Sequence, residues 1–189
     1  MIIGITGKKF SGKDTLADII CEKYEYKKYS FADPIKDISR ILFNFNDEQL
    51  YGSEKEIVDD YWNITPREVY QYLGTDIFRN KINDLIPNIN EDFWIKHMEK
   101  KILDSDFKIV IPDVRFENER NLIKEYGGKI IKIERDIPLN NLSNHESECN
   151  DIEYDYRIQN NGSIDKLSNS LNDIIYYNKK LPKCNNGQV

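Results

Sequence analysis

The sequence has few cysteines, no basic excess and no long apolar run. Its three cysteines, Cys21, Cys149 and Cys184, share no spacing typical of a metal site. No stretch approaches the roughly 20 apolar residues of a membrane helix, and the N-terminal residues lack the regions of a signal peptide. These absences predict a protein of the reducing cytoplasm without a membrane partner.

The overall charge argues against one class of ligand. Among 189 residues, 33 are acidic and 27 are lysine or arginine, which gives a net charge of −6. Such a surface repels the phosphates of a nucleic-acid polymer except at local basic clusters. Any phosphates that the protein binds are therefore expected to belong to small molecules. The length suits one α/β domain with a substantial core.

The strongest functional pattern lies at the N-terminus. Residues 2–6 form a short apolar, β-branched run typical of a buried strand, and residues 16–20 have the apolar spacing of a helix. Between them Gly7, Gly12 and Lys13 stand at the spacing G-x-x-x-x-G-K. Glycines let backbone N–H groups turn towards a polyphosphate, and the helix N-terminus and the lysine add positive charge. The pattern predicts a loop that binds nucleotide phosphates.

One residue departs from the usual pattern of such loops. A serine or threonine whose hydroxyl ligates magnesium normally follows the lysine, and here Asp14 and then Thr15 follow Lys13. A carboxylate there brings a full negative charge close to the phosphates. Magnesium, Lys13 and an arginine such as Arg115 would have to compensate it. Asp14 is therefore predicted to act with the metal or an arginine and not as a passive helix cap.

A second pattern predicts a helix from residue 65. The sequence Thr-Pro-Arg-Glu at 65–68 is a capping box with proline at the first helical position. Two rows of period four follow on different faces, an apolar row of Val69, Leu73 and Ile77 and a polar row of Gln71, Thr75 and Arg79. Gly74 lies between the rows and indicates a close approach to this surface. A solvated face and a ligand-facing stripe both fit the polar row.

Strand and helix patterns alternate along the rest of the chain. Strands are predicted at 26–32, 107–112, 129–135 and 154–159, which indicates an α/β fold whose parallel sheet is covered on both faces. Asp113 follows the second of these, at the sheet edge where ligands bind. It is placed to hold magnesium through water or to accept a proton, and a helix-cap role is compatible with both. Residues 44–63 are predicted to form an irregular, mobile connection.

Several motifs together identify a resemblance to one family. They are SGKDT at 11–15, SFADPIK at 30–36, TPREVYQYLGTDIFR at 65–79, IPDVRFENE at 111–119 and HESE at 145–148. These motifs resemble the deoxynucleoside monophosphate kinases of bacteriophages and large DNA viruses, in the same order and over nearly the whole chain. In that family Lys-Asp-Thr replaces the usual Lys-Ser/Thr, as it does here at Asp14.

The resemblance implies both a fold and an activity. The fold is a P-loop nucleoside monophosphate kinase-like three-layer sandwich in one domain, residues 1–189. Its helical acceptor-binding region lies at about 33–105, its mobile lid at about 136–151, and a frayed tail at 181–189. The implied activity is magnesium-dependent transfer of the γ-phosphoryl group of ATP to a deoxynucleoside 5'-monophosphate. The implied partners are small-molecule nucleotides, and a homodimer is left open.

The resemblance also assigns residues to the site. It places Gly7, Ser11, Gly12 and Lys13 at the donor phosphates, with Asp14 and Thr15 beside them. Asp113, Arg115 and Glu119 would border the transferring phosphate and the acceptor, and Gln71, Thr75, Arg79 and Trp94 would lie on the acceptor side. Lys13, Asp14, Asp113 and Arg115 are the expected catalytic residues, and Asp14 and Asp113 the expected metal ligands. The lids of this family often supply an arginine, but the expected lid here has none between 136 and 156. The role of a lid arginine would therefore pass to Arg115, Arg120 or Arg135.

Two alternatives stay open. Animal-type phosphomevalonate kinases are similar at SGKD, residues 11–14, and at ESEC, residues 146–149. The block from Gln71 to Arg79 favours a nucleotide acceptor, because an amide can pair with a base edge. A non-catalytic regulator that only binds nucleotide is the other alternative, and acceptor-dependent turnover separates it from a kinase.

Overall fold

Five parallel strands form the central sheet in the computed structural model, which describes residues 1–86, 89, 92–136 and 152–180. The strands are β1 (Ile2–Thr6), β2 (Tyr26–Lys28), β3 (Lys108–Ile111), β4 (Lys129–Glu134) and β5 (Tyr156–Gln159). Their order in the sheet is β2-β3-β1-β4-β5, and every pairing is parallel. The first strand therefore lies at the centre, and all five of its residues are buried.

Helices lie between the first four strands and after β5. They are α1 (Lys13–Tyr24), α2 (Asp33–Phe43), α3 (Asp47–Leu50), α4 (Pro66–Gln71), α5 (Ile82–Leu85), α6 (Phe93–Leu103), α7 (Glu117–Glu125) and α8 (Ile164–Lys180). A 3-10 helix (Ser53–Glu56) follows α3, and a π-helix (Tyr72–Ile77) continues α4 directly. The capping box predicted at residue 65 is confirmed, since the Thr65 side chain accepts from the Glu68 N–H and Glu68 accepts from the Thr65 N–H.

The sheet separates two apolar layers. On one face Ile3, Ile5 and Ile131 pack with α1 and α8, and on the other face Ile109 and Ile111 pack with α6 and α7. Continuous burial on both faces explains why the strands read as nearly unbroken apolar runs and not as alternating ones. The predicted three-layer α/β arrangement is confirmed.

The segment between α2 and α4 differs from its prediction. Residues 47–50 and 53–56 are helical, so an irregular connection is wrong there. Asn46 and Gln49 form a capping box, and Phe45 and Leu50 are 2% and 0% exposed against Val69. The Asn-x-x-Gln spacing is the sequence signal that predicts this short helix.

The π-helix explains a second difference. Phe78 N–H donates to the Leu73 carbonyl and Asn80 N–H donates to the Thr75 carbonyl, both at 3.0 Å, so these bonds span five residues. The additional residue per turn rotates the following side chains relative to an α-helix. Ile77, predicted to continue the apolar row, is therefore 36% exposed, and Phe78 packs inward in its place.

Some predictions fall outside the described residues. They include HESE at 145–148, nearly all of the expected lid at 136–151, and the tail at 181–189. The division into a core, an acceptor-binding region and a lid stays a prediction. Among the described helices, none combines the length and the apolar character that a membrane span requires.

Candidate active site

The carboxyl edge of the sheet gathers the predicted functional residues. The loop 7–12 joins the end of β1 to the start of α1 at the middle of this edge. Asp113 follows β3 on one side, and Arg135 and Asn160 follow β4 and β5 on the other. Parallel strands end at a common edge, so residues distant in sequence meet around this loop.

Two glycines let the loop lie against its neighbours. Gly7 has a φ of +147°, and a Cβ added there would lie 2.2 Å from the Ile133 carbonyl oxygen. Gly12 has a φ of +101°, and its added Cβ would lie 2.4 Å from Nδ2 of Asn160. Residues with a side chain rarely adopt these backbone conformations, and a side chain would have no space here. The spacing of the two glycines is therefore a steric requirement of the loop.

The start of α1 supplies positive charge to the loop. Lys13 is its first residue, and its Nζ donates to the carbonyls of Gly7 and Lys8, both at 2.7 Å. The helix N-cap is Gly12, and no side chain among the described residues caps this end. Unpaired N–H groups and the helix dipole favour an anion at such a terminus. The geometry suits a polyphosphate held between the loop and Lys13.

The other predicted loop residues take different positions. Ser11 is 1% exposed, and its hydroxyl has no hydrogen-bond partner among the described residues. Asp14 and Thr15 are exposed in the first turn of α1. The N-cap is Gly12 and not Asp14, whose exposed carboxylate lies beside the loop, and the predicted role of Asp14 with a metal or an arginine stays a prediction.

Asp113 binds the loop that follows β2. Its carboxylate accepts from the Ser30 hydroxyl at 2.5 Å and from the N–H groups of Phe31 and Ala32 at 3.1 and 3.0 Å. Asp33 accepts from the Ser30 N–H at 2.9 Å, and burial is the main cause of its raised pKa, to which the charge of Asp113 adds. Asp113 thus lies at the predicted sheet edge, and its hydrogen bonds join the end of β3 to the loop after β2.

The structure distinguishes the two expected magnesium ligands. Within the described part of the chain no group of three or more His, Cys, Asp or Glu is arranged to hold a metal. Magnesium needs only one or two carboxylates when water and substrate phosphates complete its shell. The exposed Asp14 fits that role, whereas the oxygens of Asp113 already accept three hydrogen bonds.

Glu119 is a buried carboxylate whose hydrogen bonds join two segments next to the site. It is 2% exposed, and it accepts from the N–H groups of Arg115 and Phe116 at 2.7 and 3.2 Å and from the Arg79 guanidinium at 2.8 Å. The Arg79 guanidinium also lies 3.7 Å from the centre of the Phe116 ring. Burial raises the pKa of Glu119 to about 7, although Arg79 and the two N–H donors lower it. This pair fixes the segment after the π-helix to the start of α7.

Trp94 and Gly74 are also interior residues. Trp94 is 4% exposed, and its indole N–H donates to the Gly74 carbonyl at 2.8 Å. A Cβ on Gly74 would lie 2.8 Å from Cδ1 of Ile35, so the close approach indicated by this glycine comes from α2 and not from a ligand. Trp94 is therefore a core residue in this structure. Gln71 and Thr75 remain half-buried.

Two basic side chains that were not predicted at the site, Lys55 and Arg67, lie close to each other near the loop. Oε1 of Glu56 accepts from Nζ of Lys9 in the loop and from Nε of Arg67 in α4, both at 3.2 Å. The pKa of Lys55 is lowered by burial first and then by the charges of Lys36 and Arg67. Arg67 stands four residues before Gln71, so extending the polar row by one step would have found it.

The candidate lid arginines have different environments. The Arg120 guanidinium pairs with Glu117 and Glu153, and its side chain is 19% exposed. Arg115 lies just after Asp113 at the carboxyl edge, and Arg135 is exposed just after β4. The structure thus ties Arg120 to neighbouring carboxylates and places Arg115 and Arg135 at the edge of the site.

Sequence comparisons point to one family. A family model described as deoxynucleotide monophosphate kinase matches residues 1–59 and 42–171. A protein of Acanthamoeba polyphaga mimivirus, provisionally described as a deoxynucleotide monophosphate kinase, is 36% identical over 90% of this chain and 94% of its own length. The deoxynucleoside-5'-monophosphate kinase of Escherichia phage T5 is 21% identical over 66% of this chain and 72% of its own.

Comparison with solved structures bears on the fold. Shikimate kinase from Aquifex aeolicus aligns with 95% of this chain and 98% of its own, with a TM-score of 0.50 and 14% identity. A protein from Thermus thermophilus aligns with 94% and 97% of the two chains, with a TM-score of 0.51 and 15% identity. These likenesses confirm the predicted P-loop kinase-like fold, and at such low identity they say nothing about the acceptor.

The raised pKa of the buried Glu119 carboxyl predicts that its contribution to stability decreases as the pH rises. Because the pKa of Glu119 rises from 4.5 to about 7 on folding, its contribution to stability is fully present below pH 4.5 and is lost as the pH rises through about 7. Between pH 5.5 and 8, the free energy of unfolding of the wild type should fall by at least about 1.4 kcal/mol more than that of Glu119→Gln. Urea unfolding of both proteins at the two pH values measures this difference. Equal pH slopes would contradict the assignment.

Proposed function

This chain belongs to the deoxynucleotide monophosphate kinase family, and from that premise we propose that it transfers the γ-phosphoryl group of ATP to a deoxynucleoside 5'-monophosphate. An oxygen of the acceptor phosphate forms a bond to the γ-phosphorus, and the bond from that phosphorus to the β-phosphate bridging oxygen breaks. The products are ADP and a deoxynucleoside diphosphate. No general base is required, because the attacking oxygen already carries negative charge.

The position of the loop 7–13 carries this proposal. It lies at the centre of the carboxyl edge, directly after the buried strand β1, with a helix N-terminus and Lys13 beside it. Backbone N–H groups and a lysine arranged in this way neutralise phosphate charge and align the donor. Ser11 adds a buried hydroxyl that has no other partner among the described residues.

The acceptor side is proposed to begin at Arg67. Arg67, Gln71 and Thr75 follow one another at steps of four residues, from α4 into the π-helix. The bridge from Arg67 through Glu56 to Lys9 brings this side next to the phosphate loop. A guanidinium near the loop suits the acceptor phosphate, and the Gln71 amide can pair with a base edge.

Buried residues support both sides. The Glu119–Arg79 pair and the Trp94–Gly74 hydrogen bond fix the π-helix against α6 and α7. Asp113 fixes the loop after β2, from which α2 starts. We assign these residues to holding the acceptor-binding surface in register with the phosphate loop. Arg115, after β3, and Arg135, after β4, are the candidates for neutralising the transferring phosphate from the two sides of the loop.

Magnesium would be held mainly through Asp14. When bound with ATP, the ion neutralises the β- and γ-phosphates and orients them. The exposed carboxylate at the start of α1 can bind it directly or through water, and Asp113 would act only through water. Lys13 and the loop N–H groups then supply the positive charge that offsets Asp14.

A coupled ADP-release assay with ATP and each deoxynucleoside monophosphate tests the proposed function. Phosphomevalonate and a reaction without acceptor are the controls for the two alternatives. We expect ADP release that depends on at least one deoxynucleoside monophosphate and is absent with phosphomevalonate. Turnover with phosphomevalonate alone, or nucleotide binding without acceptor-dependent turnover, would contradict the proposal.

The charge of Asp14 is predicted to matter for the chemical step. Asp14→Asn keeps the size of the side chain and removes its charge, so kcat should fall at least about tenfold, equivalent to about 1.4 kcal/mol of transition-state stabilisation. ATP affinity should be unchanged or tighter. Asp18→Asn, one turn later in α1 and paired with Lys28 at 2.6 Å, is the matched control and should retain kcat. Wild-type kcat for Asp14→Asn across a magnesium titration would refute this role.

Arg67 is predicted to act on the acceptor and not on the donor. Arg67→Met keeps much of the apolar stem and removes the guanidinium, so the KM for the deoxynucleoside monophosphate should rise at least about tenfold. The KM for ATP should change by less than about threefold. Arg40→Met is the control, because Arg40 pairs with Asp47 on an exposed surface. Steady-state kinetics with each substrate varied in turn measure both constants, and equal effects on the two would remove Arg67 from the acceptor side.

A further inference from the structure

Asn160 contacts the phosphate loop from a distant part of the chain. It follows β5 directly, and its Nδ2 donates to the Ser11 carbonyl at 2.9 Å. Its own N–H donates to the Glu134 carbonyl at the end of β4, at 2.7 Å. The side chain is therefore held between the end of the sheet and the loop, and its donor points at the loop backbone.

The loop is shaped around this side chain. A Cβ on Gly12 would lie 2.4 Å from Nδ2 of Asn160, so the second glycine of the phosphate loop leaves the space that the amide occupies. At the start of the loop, Gly7 likewise leaves space for the Ile133 carbonyl. The loop is thus fitted against two fixed points on the β4–β5 side of the sheet, one of which is a side chain.

Ser11 links this contact to the ligand. Its carbonyl accepts from Asn160, and its buried hydroxyl has no hydrogen-bond partner in the part of the chain that the structure describes. The peptide groups on either side of Ser11 belong to the same loop that faces the donor phosphates. Fixing this carbonyl fixes the direction of the Gly12 N–H, because the two groups share one planar peptide unit.

We infer that Asn160 is a positioning residue for the donor phosphates, which holds the loop 7–13 in its anion-binding conformation through the Ser11 carbonyl. This inference rests on the proposed function only in requiring that the loop bind the polyphosphate of the donor. It does not depend on which acceptor is used. Asn160 acts through the loop backbone and makes no contact with the base.

Calorimetric titration with two probes tests this role directly. Magnesium ADP contains a base, and magnesium tripolyphosphate contains only the phosphate chain. Asn160→Ala should weaken the binding of both probes by the same factor, about fivefold to tenfold. Asn160→Asp should weaken both further, because a carboxylate oxygen would face the Ser11 carbonyl and place negative charge near the phosphates.

Asn161 provides a matched control in the next position. It is exposed, and its side chain exchanges hydrogen bonds with Asp136 and not with the loop. Asn161→Ala should leave both dissociation constants within about twofold of the wild type. The fitted stoichiometry of each titration reports the folded fraction, so partial unfolding of one variant does not imitate weaker binding.

Two outcomes of the titrations would contradict the inference, and one outcome of the turnover assay would contradict only the proposed function. Weaker binding of ADP alone would mean that Asn160 contacts the base or the sugar. Unchanged binding of both probes by both Asn160 variants would mean that the loop keeps its conformation without this hydrogen bond. Wild-type protein that binds both probes but shows no acceptor-dependent turnover would contradict the proposed function and leave this result intact.

Discussion

The close approach of the phosphate loop to the end of the sheet is the constraint on which the rest of the site depends. Gly7 and Gly12 have backbone conformations that residues with a side chain rarely adopt, and each leaves space for an atom of a neighbouring segment. The loop can therefore sit at the centre of the carboxyl edge with α1 starting directly after it. The sheet below is buried on both faces and supports the loop, and the proposed acceptor-binding segments lie around it.

An acidic composition would be expected to repel phosphates, but the acidic residues around the site bind basic groups and backbone N–H groups. The chain carries a net charge of −6, yet Lys9 and Arg67 meet at the phosphate loop. Glu56 bridges those two cations, Asp113 binds backbone N–H groups, and Glu119 binds Arg79 and two more N–H groups. Carboxylates thus hold the scaffold and position the basic groups Lys9 and Arg67 at the phosphate loop.

Local patterns predicted the parts of the fold that depend on neighbouring residues. The strand, the glycine loop and the first helix are read from consecutive residues, and so is the capping box at Thr65. Contacts between distant segments were not predictable in this way. The Glu119–Arg79 pair joins residues 40 positions apart, and the Asn160–Ser11 bond joins residues 149 apart. The π-helix likewise rotates the helix after residue 71 out of its expected period, which no local pattern indicated.

Lys13 and its loop hold the phosphates of the donor in the proposed reaction, and one substitution tests this role most directly. Lys13→Ala should reduce acceptor-dependent turnover by at least about a thousandfold, because the main partner of this ammonium group in the working enzyme is phosphate charge. Its thermal unfolding should stay close to that of the wild type. Lys8→Ala, an exposed neighbour in the same loop, is the control and should keep most of the activity. Near-normal turnover by a folded Lys13→Ala variant would contradict the account.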